Sequence, residues 1–324
     1  MPKRRTLLGC SFPLAIAISL IVLALFIIGF IAGPLGRSLL SGVQVPSWLS
    51  VAKPVPELPA DKVFQILGLP ITNTLLASWV TIVFLVLFSF LVTRSLRVVP
   101  RRWQMVLEYI VGALLDFCRS VAGEKNGRHF FPIVATIFLF VAFNAWLALL
   151  PGYGSITIAA GGHEVHLLRA ANTDINTPLA VALVSFVTVF YFGFRLIGIS
   201  YLAKFANVGD FFTGVKQTAR GNVKAGLSGM FLGVINIFIG VIETLSEFIR
   251  IISFTFRLFG NMTAGEILLL MATFLIPFVF TLPFYGLELL VGFVQALIFA
   301  GLTLIFLTVA VSAHGGENHS EEHK

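Results

Sequence analysis

The chain has 324 residues, of which 57% are hydrophobic and 11% are charged, and its formal net charge is +7. A soluble domain has about 25% charged residues, so the composition excludes an ordinary soluble fold and predicts an all-α, polytopic membrane protein. The positive charge does not indicate nucleic-acid binding, because Lys and Arg cluster in short segments beside apolar runs, as cytoplasmic loops do. The sequence has no Gly-rich phosphate loop and no metal-ligand spacing, so we expect no cofactor, no metal and no nucleic-acid partner.

The first apolar segment, from about Phe12 to Ala32, follows a basic start at residues 3–5. A secretory signal peptide has the same order of features. This segment is longer than the 7–15 residues of a signal-peptide core, however, and suits a membrane-spanning helix of about 20 residues. We therefore predict a retained anchor helix in residues 1–36 with a cytoplasmic N-terminus, and a cleaved signal peptide is the alternative.

Residues 37–72 are rich in proline, which predicts an extracytoplasmic connector that lies along the membrane surface. Thr72 or Asn73 can cap the next helix, because both side chains accept hydrogen bonds from helix N-terminal N–H groups. That helix is predicted over about 74–93, which contains no charged residue.

Two basic segments, 94–102 and 195–224, mark cytoplasmic loops by their Lys and Arg content. Between them we predict an amphipathic helix on the membrane surface over 103–122 and a turn with the sequence GEKNGRH over 123–129. A third span over 130–150, an external loop over 152–176 and a fourth span over 174–194 follow. Counting from a cytoplasmic N-terminus gives six crossings and a cytoplasmic, polar tail over 314–324. The external loop holds His163 and His166, but two histidines without further ligands indicate a solvated loop and not a metal site.

Polar residues recur at a fixed spacing in the apolar C-terminal third of the chain. Four of them are each seven positions apart: Asn236, Glu243, Arg250 and Arg257. On a helix of 3.6 residues per turn these positions drift by only about 20° per step, and Asn261 stays on the same side. A charge near the bilayer centre costs about 2.5–3.5 kcal/mol on insertion scales, and arginine does not lose its charge. Arg257 therefore needs an anionic or strongly polar partner.

Two long C-terminal helices are predicted. Residues 226–259 would form a helix about 50 Å long, which exceeds the hydrocarbon core of about 30 Å and requires a steep tilt. The sequence Phe-Gly-Asn at 259–261 is predicted to break this helix. A return helix is then expected from about 263 to 312, with kinks at Pro277 and Pro283.

The predicted return helix carries three polar residues in an apolar sequence: Glu266, Glu288 and Gln295. On an ideal helix Glu288 and Gln295 lie about 40° and 20° from Glu266. All three side chains are therefore predicted to face the same way.

The segment RLFGNMTAGE, from Arg257 to Glu266, resembles the signature of subunit a of F-type ATP synthases, the stator half of a membrane motor. Glu243 upstream and QALIFAGLT from Gln295 fit the same pattern, and the resemblance covers roughly residues 65–313. It implies a subunit a membrane domain over 73–313 with a long, strongly tilted C-terminal helical hairpin that faces the ring of c subunits. The anchor helix in 1–36 departs from well-known members of the family.

The resemblance also implies roles for individual residues. Arg257 matches the essential arginine that separates two proton half-channels, and Glu243 matches the carboxylate on the cytoplasmic pathway. Asn261, Glu266 and Gln295 match polar residues of the external half-channel.

Two further acidic residues have open interpretations. Asp174 matches a residue at the mouth of the family's external pathway, and it equally fits an N-terminal helix residue that interacts with the helix dipole. Glu288 falls where some members have His and others have Glu. Glutamates at both 266 and 288 place two like charges in one channel, unless one is protonated or a cation lies nearby, and the sequence leaves both alternatives open.

The function implied by the resemblance is proton conduction coupled to ATP synthesis, by a subunit without catalytic chemistry of its own. The implied partners are the c-ring, the b subunits of the peripheral stalk, the rest of the F-type complex and the lipid bilayer, in a bacterial plasma membrane. Sodium in place of the proton is an alternative coupling ion. An independent secondary transporter is the rival class, but the chain shows no internal symmetry of the kind many transporters have.

Overall fold

The computed structural model of the chain describes residues 6–7, 10–39, 46, 53–54, 59–66, 68–94, 96, 102–160, 163–198, 201, 205, 212–213, 215–216, 218 and 223–312. The sequence-based expectations for residues 1–5, for Arg97 and Arg101 and for the tail over 314–324 lie outside the described residues.

Most of the described residues lie in helices: α1 (Phe12–Ala32), α2 (Pro34–Leu39), α3 (Asn73–Arg94), α4 (Arg102–Ala148), α5 (Asn176–Ile197), α6 (Val223–Leu275) and α7 (Leu282–Ser312). Within the described part of the chain, six helical segments are long and apolar enough to cross a membrane. This finding confirms the predicted all-helical membrane fold with six spans.

Short antiparallel hairpins precede α1, α3 and α5, respectively: β1 (Thr6–Leu7) with β2 (Cys10–Ser11), β3 (Lys62–Ile66) with β4 (Leu69–Thr72), and β5 (Thr157–Ala160) with β6 (His163–His166). The sequence analysis did not predict these strands. Gly68 has a φ of 82° between β3 and β4, a left-handed conformation that glycine adopts without steric cost. The connector and the external loop thus contain ordered hairpins, and β3 contacts β5.

The chain divides into two compact units. Unit 1 comprises residues 1–77, 144–174 and 260–294, and unit 2 comprises residues 78–143, 175–259 and 295–324. Unit 1 therefore holds α1, α2, the hairpins and the turn between α6 and α7. Unit 2 holds most of α3, α4 and α5 and the remaining parts of α6 and α7.

Polar contacts join the elements within each unit. In unit 1, Trp146 near the end of α4 donates its indole N–H to the Leu289 carbonyl of α7, at 3.1 Å. In unit 2, the buried hydroxyls of Ser185 in α5 and Thr303 in α7 are 2.8 Å apart. Burying a hydroxyl in apolar surroundings is unfavourable without a hydrogen bond, so this pair fixes the position of α5 against α7.

The start of α3 agrees with the sequence. The Thr72 hydroxyl accepts a hydrogen bond from the Leu75 N–H at 3.3 Å, the arrangement of an N-terminal cap. The predicted capping role of Thr72 is confirmed, and the helix begins at Asn73, close to the predicted start.

The predicted turn over 123–129 is wrong apart from its first residue. Gly123 alone leaves the helical conformation, with φ at 79°, and it kinks α4. Residues 124–129 are helical, and Arg128 bonds Glu124 one turn earlier at 2.7 Å. A glycine with positive φ can redirect the chain at a single position, so the long polar turn is not needed.

The predicted break at 259–261 is also wrong, because α6 continues through these residues to Leu275. One glycine in a helix costs only about 1 kcal/mol, which does not end an apolar helix of this length. The chain turns at Pro277 and Phe278 instead. Proline lacks the N–H that a helix needs, and Phe278 has a φ of 72°, which is unusual for a bulky residue.

After this turn a short 3-10 helix over Phe278–Thr281 leads into α7. The return helix therefore begins at Leu282, not at Thr263. Pro283 lies in the first turn of α7, where proline is tolerated because the N–H has no helical partner, so the predicted kink there does not occur.

The anchor helix α1 has the predicted bounds and packs on the turn between α6 and α7. A Cβ on Gly29 would meet the Pro277 carbonyl oxygen, and a Cβ on Gly33 would meet the Leu275 carbonyl oxygen. Small residues at this spacing let helix backbones approach closely in membranes. The two glycines are thus required by the contact between α1 and the turn.

We expect Gly33→Leu to destabilise the protein by about 1–3 kcal/mol, because a larger side chain has no room against the Leu275 carbonyl. Thermal unfolding of the detergent-purified protein measures the effect. Gly112→Leu is the matched control, since a Cβ at Gly112 of α4 meets no neighbouring atom. Equal melting temperatures for the two variants would contradict the close packing of α1.

Candidate functional site

Unit 1 contains a cavity of about 590 Å³ whose wall includes polar and ionisable side chains among mostly apolar residues. The connector contributes Asp61, the external loop contributes His166 and Arg169, and the hairpin of α6 and α7 contributes Glu266 and Glu288. Among the residues that the structure describes, no three His, Cys, Asp or Glu side chains are grouped as metal ligands. The cavity is therefore a place where carboxylates face a basic group within an apolar protein.

Arg169 and Glu266 form an ion pair on the wall of this cavity. The guanidinium donates from Nε to Oε1 and from Nη2 to Oε2, each at 3.1 Å. Nη1 also donates to the Pro59 carbonyl at 3.2 Å. A two-pronged contact of this kind is among the stronger hydrogen-bonded arrangements, so Glu266 has a fixed cationic partner.

Sequence reasoning missed Arg169. It lies in the external loop, 97 residues before Glu266, and no local periodicity relates the two positions. The sequence analysis had left open whether a proton or a cation relieves the repulsion between the two glutamates. The structure shows a cation beside Glu266.

Glu288 lies against the α6 backbone beside Glu266. Its side chain is only 4% exposed, and its carboxylate occupies the space that a Cβ on Gly265 would fill. Gly265 directly precedes Glu266 in the chain, so the absence of a side chain there lets the second glutamate approach. The predicted proximity of Glu266 and Glu288 holds, although the turn of the hairpin and not one continuous helix produces it.

Buried polar atoms on the cavity wall point to a hydrated interior. Within the described structure, the Asn73 Oδ1 and the Thr263 hydroxyl are buried and have no protein hydrogen-bond partner. Buried polar atoms of this kind are normally satisfied by protein or by water. Burial also raises the pKa of Tyr153 to about 12, so its phenol is protonated at physiological pH.

Asp174 lies just before α5 in unit 1. It accepts a hydrogen bond from the Thr74 hydroxyl at 2.9 Å and follows a short 3-10 helix over Ala171–Thr173. Its place two residues before the start of α5 is compatible with an interaction with the helix dipole. It is not among the residues that line the cavity.

The polar stripe of α6 lies at the margin of a buried face in unit 2. Asn236, Glu243, Arg250 and Arg257 are all half-buried. The residue three positions before each of them is buried, and these residues are Gly233, Gly240, Glu247 and Phe254. Residues three apart on a helix are neighbours on its surface, so the stripe forms one edge of the packed face, as the spacing predicts.

Arg250 is bound within unit 2. It donates to the Glu247 carboxylate one turn earlier, and its guanidinium lies 4.2 Å from the ring centre of Phe306. Glu247 is 7% exposed, so this arginine compensates a buried anion. The contact with Phe306 joins α6 to α7, and the ion pair lies within α6. Arg250 therefore has a structural role that the sequence did not indicate.

Tyr201 is buried near the same charges. Burial raises the pKa of its phenol, the positive charge of Arg250 lowers it, and the negative charge of Glu243 raises it further. Its hydroxyl has no hydrogen-bond partner within the described structure. Tyr201 therefore adds a neutral polar group to the surroundings of Glu243 and Arg250.

Arg257 differs from the other two arginines. It is half-buried in unit 2, and its guanidinium lies 5.8 Å from the ring centre of Phe254. Among the described residues, no aspartate or glutamate forms an ion pair with it. Within the described structure, its permanent charge is thus stabilised by an aromatic ring and not by an acidic side chain.

Asn261 and Gln295 have unlike surroundings. Asn261 is exposed and belongs to unit 1, whereas Gln295 is 2% exposed and belongs to unit 2. Gln295 follows Glu288 by seven residues on α7, so it continues the buried polar side of that helix. The structure therefore brings only Glu266 and Glu288 of the predicted external residues into one cavity.

Comparison with known protein families gives a match over most of the chain. The family model described as ATP synthase A chain matches residues 75–308. That range contains Arg169 and every site residue predicted from the sequence. The chain belongs to the ATP synthase A chain family, and it is a multi-pass membrane protein with a stator role in ion translocation by the Fo sector.

Proposed function

We propose that this chain conducts protons between two half-channels and a rotating c-ring, and so couples proton flow to ATP synthesis elsewhere in the complex. The observation that supports this proposal is the cavity of unit 1, where Glu288 lies beside the Arg169–Glu266 ion pair. A buried carboxylic acid can take up and release protons near neutral pH, whereas arginine cannot.

The proposed external half-channel includes the cavity of unit 1. Glu288 is the exchanging carboxyl, Glu266, Asn261 and Gln295 are polar residues of the pathway, and Asp174 lies near its mouth. Protons would enter from the side of the membrane that carries the connector. The polar and ionisable side chains on the cavity wall and the buried polar atoms of Asn73 and Thr263 support a hydrated path.

The proposed cytoplasmic half-channel includes Glu243 on the polar stripe of α6. Arg257 separates the two half-channels and faces the carboxylate of the passing c subunit. Its lack of an ion pair among the described residues supports this role, since a guanidinium bound to a neighbouring acid would not be available to a ring carboxylate. A charge that moves through 100 mV gains about 2.3 kcal/mol, so several protons are needed for each ATP.

The proposal places the chain in a bacterial plasma membrane with the c-ring, the b subunits of the peripheral stalk and the rest of the F-type complex. The tilted C-terminal hairpin would face the ring. The anchor helix in 1–36 would be retained, with 37–72 as the extracytoplasmic connector, 73–313 as the membrane domain and 314–324 as a cytoplasmic tail. The close packing of α1 on the turn at Pro277 supports retention.

Cysteine labelling tests the proposed orientation. In a background without Cys10 and Cys118, we expect Ser155→Cys in the external loop to react with a membrane-impermeant maleimide in intact cells. Ser320→Cys in the tail should react only after the cells are opened. The reverse pattern would place the basic segments outside the cell and contradict the Lys and Arg bias.

Arg257→Ala is expected to abolish ATP-driven proton pumping and to leave the amount of assembled complex close to wild type, because the described structure gives Arg257 no ion pair to lose. Arg257→Lys should fail nearly as completely, since lysine lacks the forked, permanently charged group. Quenching of a pH-sensitive dye in inverted membrane vesicles measures pumping, and immunoblotting measures assembly.

Arg250→Ala provides the comparison and should show a different defect. It leaves the buried Glu247 carboxylate without its partner, and breaking such a pair costs about 3–5 kcal/mol, so the amount of assembled complex should fall.

Normal pumping by Arg257→Ala would overturn the assignment of the central arginine. Repeating the assay at low and high sodium distinguishes a proton from a sodium pathway.

Glu288→His is expected to keep part of the pumping activity, because histidine also exchanges protons near neutral pH. Glu288→Leu should remove most of it, because leucine has no exchangeable proton. The same vesicle assay measures both variants. Equal rates for His and Leu would show that Glu288 is not on the pathway.

Gly265→Ala checks the same pathway without a change at Glu288. The added methyl group would occupy the present place of the Glu288 carboxylate and force the side chain into another rotamer. Pumping should therefore fall. Gly286→Ala is the matched control on α7, since a Cβ there meets no neighbouring atom.

A further inference from the structure

We infer that Arg169 is a positioning residue that holds Glu266 as a fixed anion, so that Glu288 alone exchanges protons in the cavity of unit 1. This inference rests on the proposed function and assigns different roles to the two glutamates. Glu266 becomes part of a neutral, immobile ion pair on the cavity wall. Glu288 is then the carboxyl group on the same wall that takes up and releases protons.

The hydrogen bonds of Arg169 fix it from two sides. Nε and Nη2 bind the two carboxylate oxygens of Glu266, and Nη1 binds the Pro59 carbonyl in the connector. The fork of a guanidinium has a rigid geometry that matches a carboxylate. A lysine at this position could not make the three contacts together, so the arrangement depends on arginine.

Burial makes the pair electrostatically important. The Arg169 side chain is 11% exposed and the Glu266 side chain is 28% exposed. An exposed pair of the same kind, Arg128 with Glu124, has exposures of 63% and 65%. Water weakens the interaction of exposed charges far more than that of buried ones, so the two pairs should respond very differently to loss of the arginine.

The position of Glu288 explains why a fixed counter-charge is needed. Its carboxylate lies against Gly265, the residue before Glu266. Two ionised carboxylates at short range disfavour each other's charged form. With Glu266 neutralised by Arg169, the proton uptake of Glu288 is no longer governed by a neighbouring anion.

The other ionisable residues on the cavity wall do not replace Arg169. Asp61, His166, Tyr153 and Tyr285 line the cavity as well. In the described structure none of them forms an ion pair with Glu266. Arg169 is therefore the residue whose removal would leave the Glu266 charge uncompensated.

A double-mutant cycle in the complete ATP synthase tests the inference. The variants are Arg169→Gln, Glu266→Gln and the combination of the two, with Arg169→Lys as the conservative change and Arg128→Gln as the control for a surface ion pair. Initial rates of ATP-driven proton pumping are measured in inverted vesicles and divided by the amount of chain in the membrane. Arg257→Ala is measured in parallel.

We expect Arg169→Gln to lower the pumping rate by about tenfold or more, because loss of the arginine leaves the partly buried Glu266 charge uncompensated. Glu266→Gln should also be impaired, since it leaves Arg169 without its anion. The double variant should pump faster than either single variant, because it removes both charges together. Arg169→Lys should recover part of the rate lost in Arg169→Gln, and Arg128→Gln should pump like the wild type.

Two results would overturn the inference: wild-type pumping by Arg169→Gln, or a double variant that is slower than Glu266→Gln. If Arg169→Gln does not accumulate in the membrane, the comparison between the double variant and Glu266→Gln decides alone. The Arg257→Ala variant distinguishes a failure of the proposed function from a failure of the role inferred for Arg169. Normal pumping by that variant contradicts the proposed function, whereas an inactive Arg257→Ala with a fully active Arg169→Gln contradicts only the role of Arg169.

Discussion

The cost of holding ionisable groups in an apolar chain constrains this structure more than any other interaction. Charges within membrane-spanning segments are unfavourable unless they are paired or hydrated. Within unit 1, Arg169 binds Glu266, and within unit 2, Arg250 binds Glu247. Each pair gives an acidic side chain a fixed positive partner. The proposed function gives Glu288 and Glu243 roles in the external and the cytoplasmic half-channel, respectively.

The α6–α7 turn decides where Glu288 lies relative to Glu266. Pro277 ends α6 and Phe278 adopts a left-handed backbone conformation, so α7 returns beside the last turns of α6 in unit 1. Gly265 then provides the space in which the Glu288 carboxylate packs. The anchor helix contributes to the same region, because Gly29 and Gly33 pack on the turn. A backbone feature without ionisable groups thus determines the distance between two glutamates.

Much of the fold could be predicted from the sequence, because hydropathy and length define membrane helices directly. The bounds of α1 and the Thr72 cap agree with prediction. The errors at 123–129 and 259–261 share a cause, because glycine and polar residues do not by themselves end a long apolar helix. The chain leaves the helical conformation at Gly123 alone, and α6 continues through 259–261. The heptad spacing of Asn236, Glu243, Arg250 and Arg257 identified one edge of a helix correctly. Arg169 could not be found in this way, since its partner lies far along the chain and only the tertiary fold brings them together.

Arg169, Arg250 and Arg257 differ in what surrounds them within the described structure. Arg169 is bound by a carboxylate and a carbonyl, and Arg250 by a carboxylate and an aromatic ring. Arg257 has an aromatic ring at 5.8 Å and no ion pair among the described residues. A guanidinium is stable at depth only with an anion or strong dipoles near it. Among the described residues no carboxylate fills this role for Arg257, and this observation supports the proposal that a carboxylate of the moving ring does so.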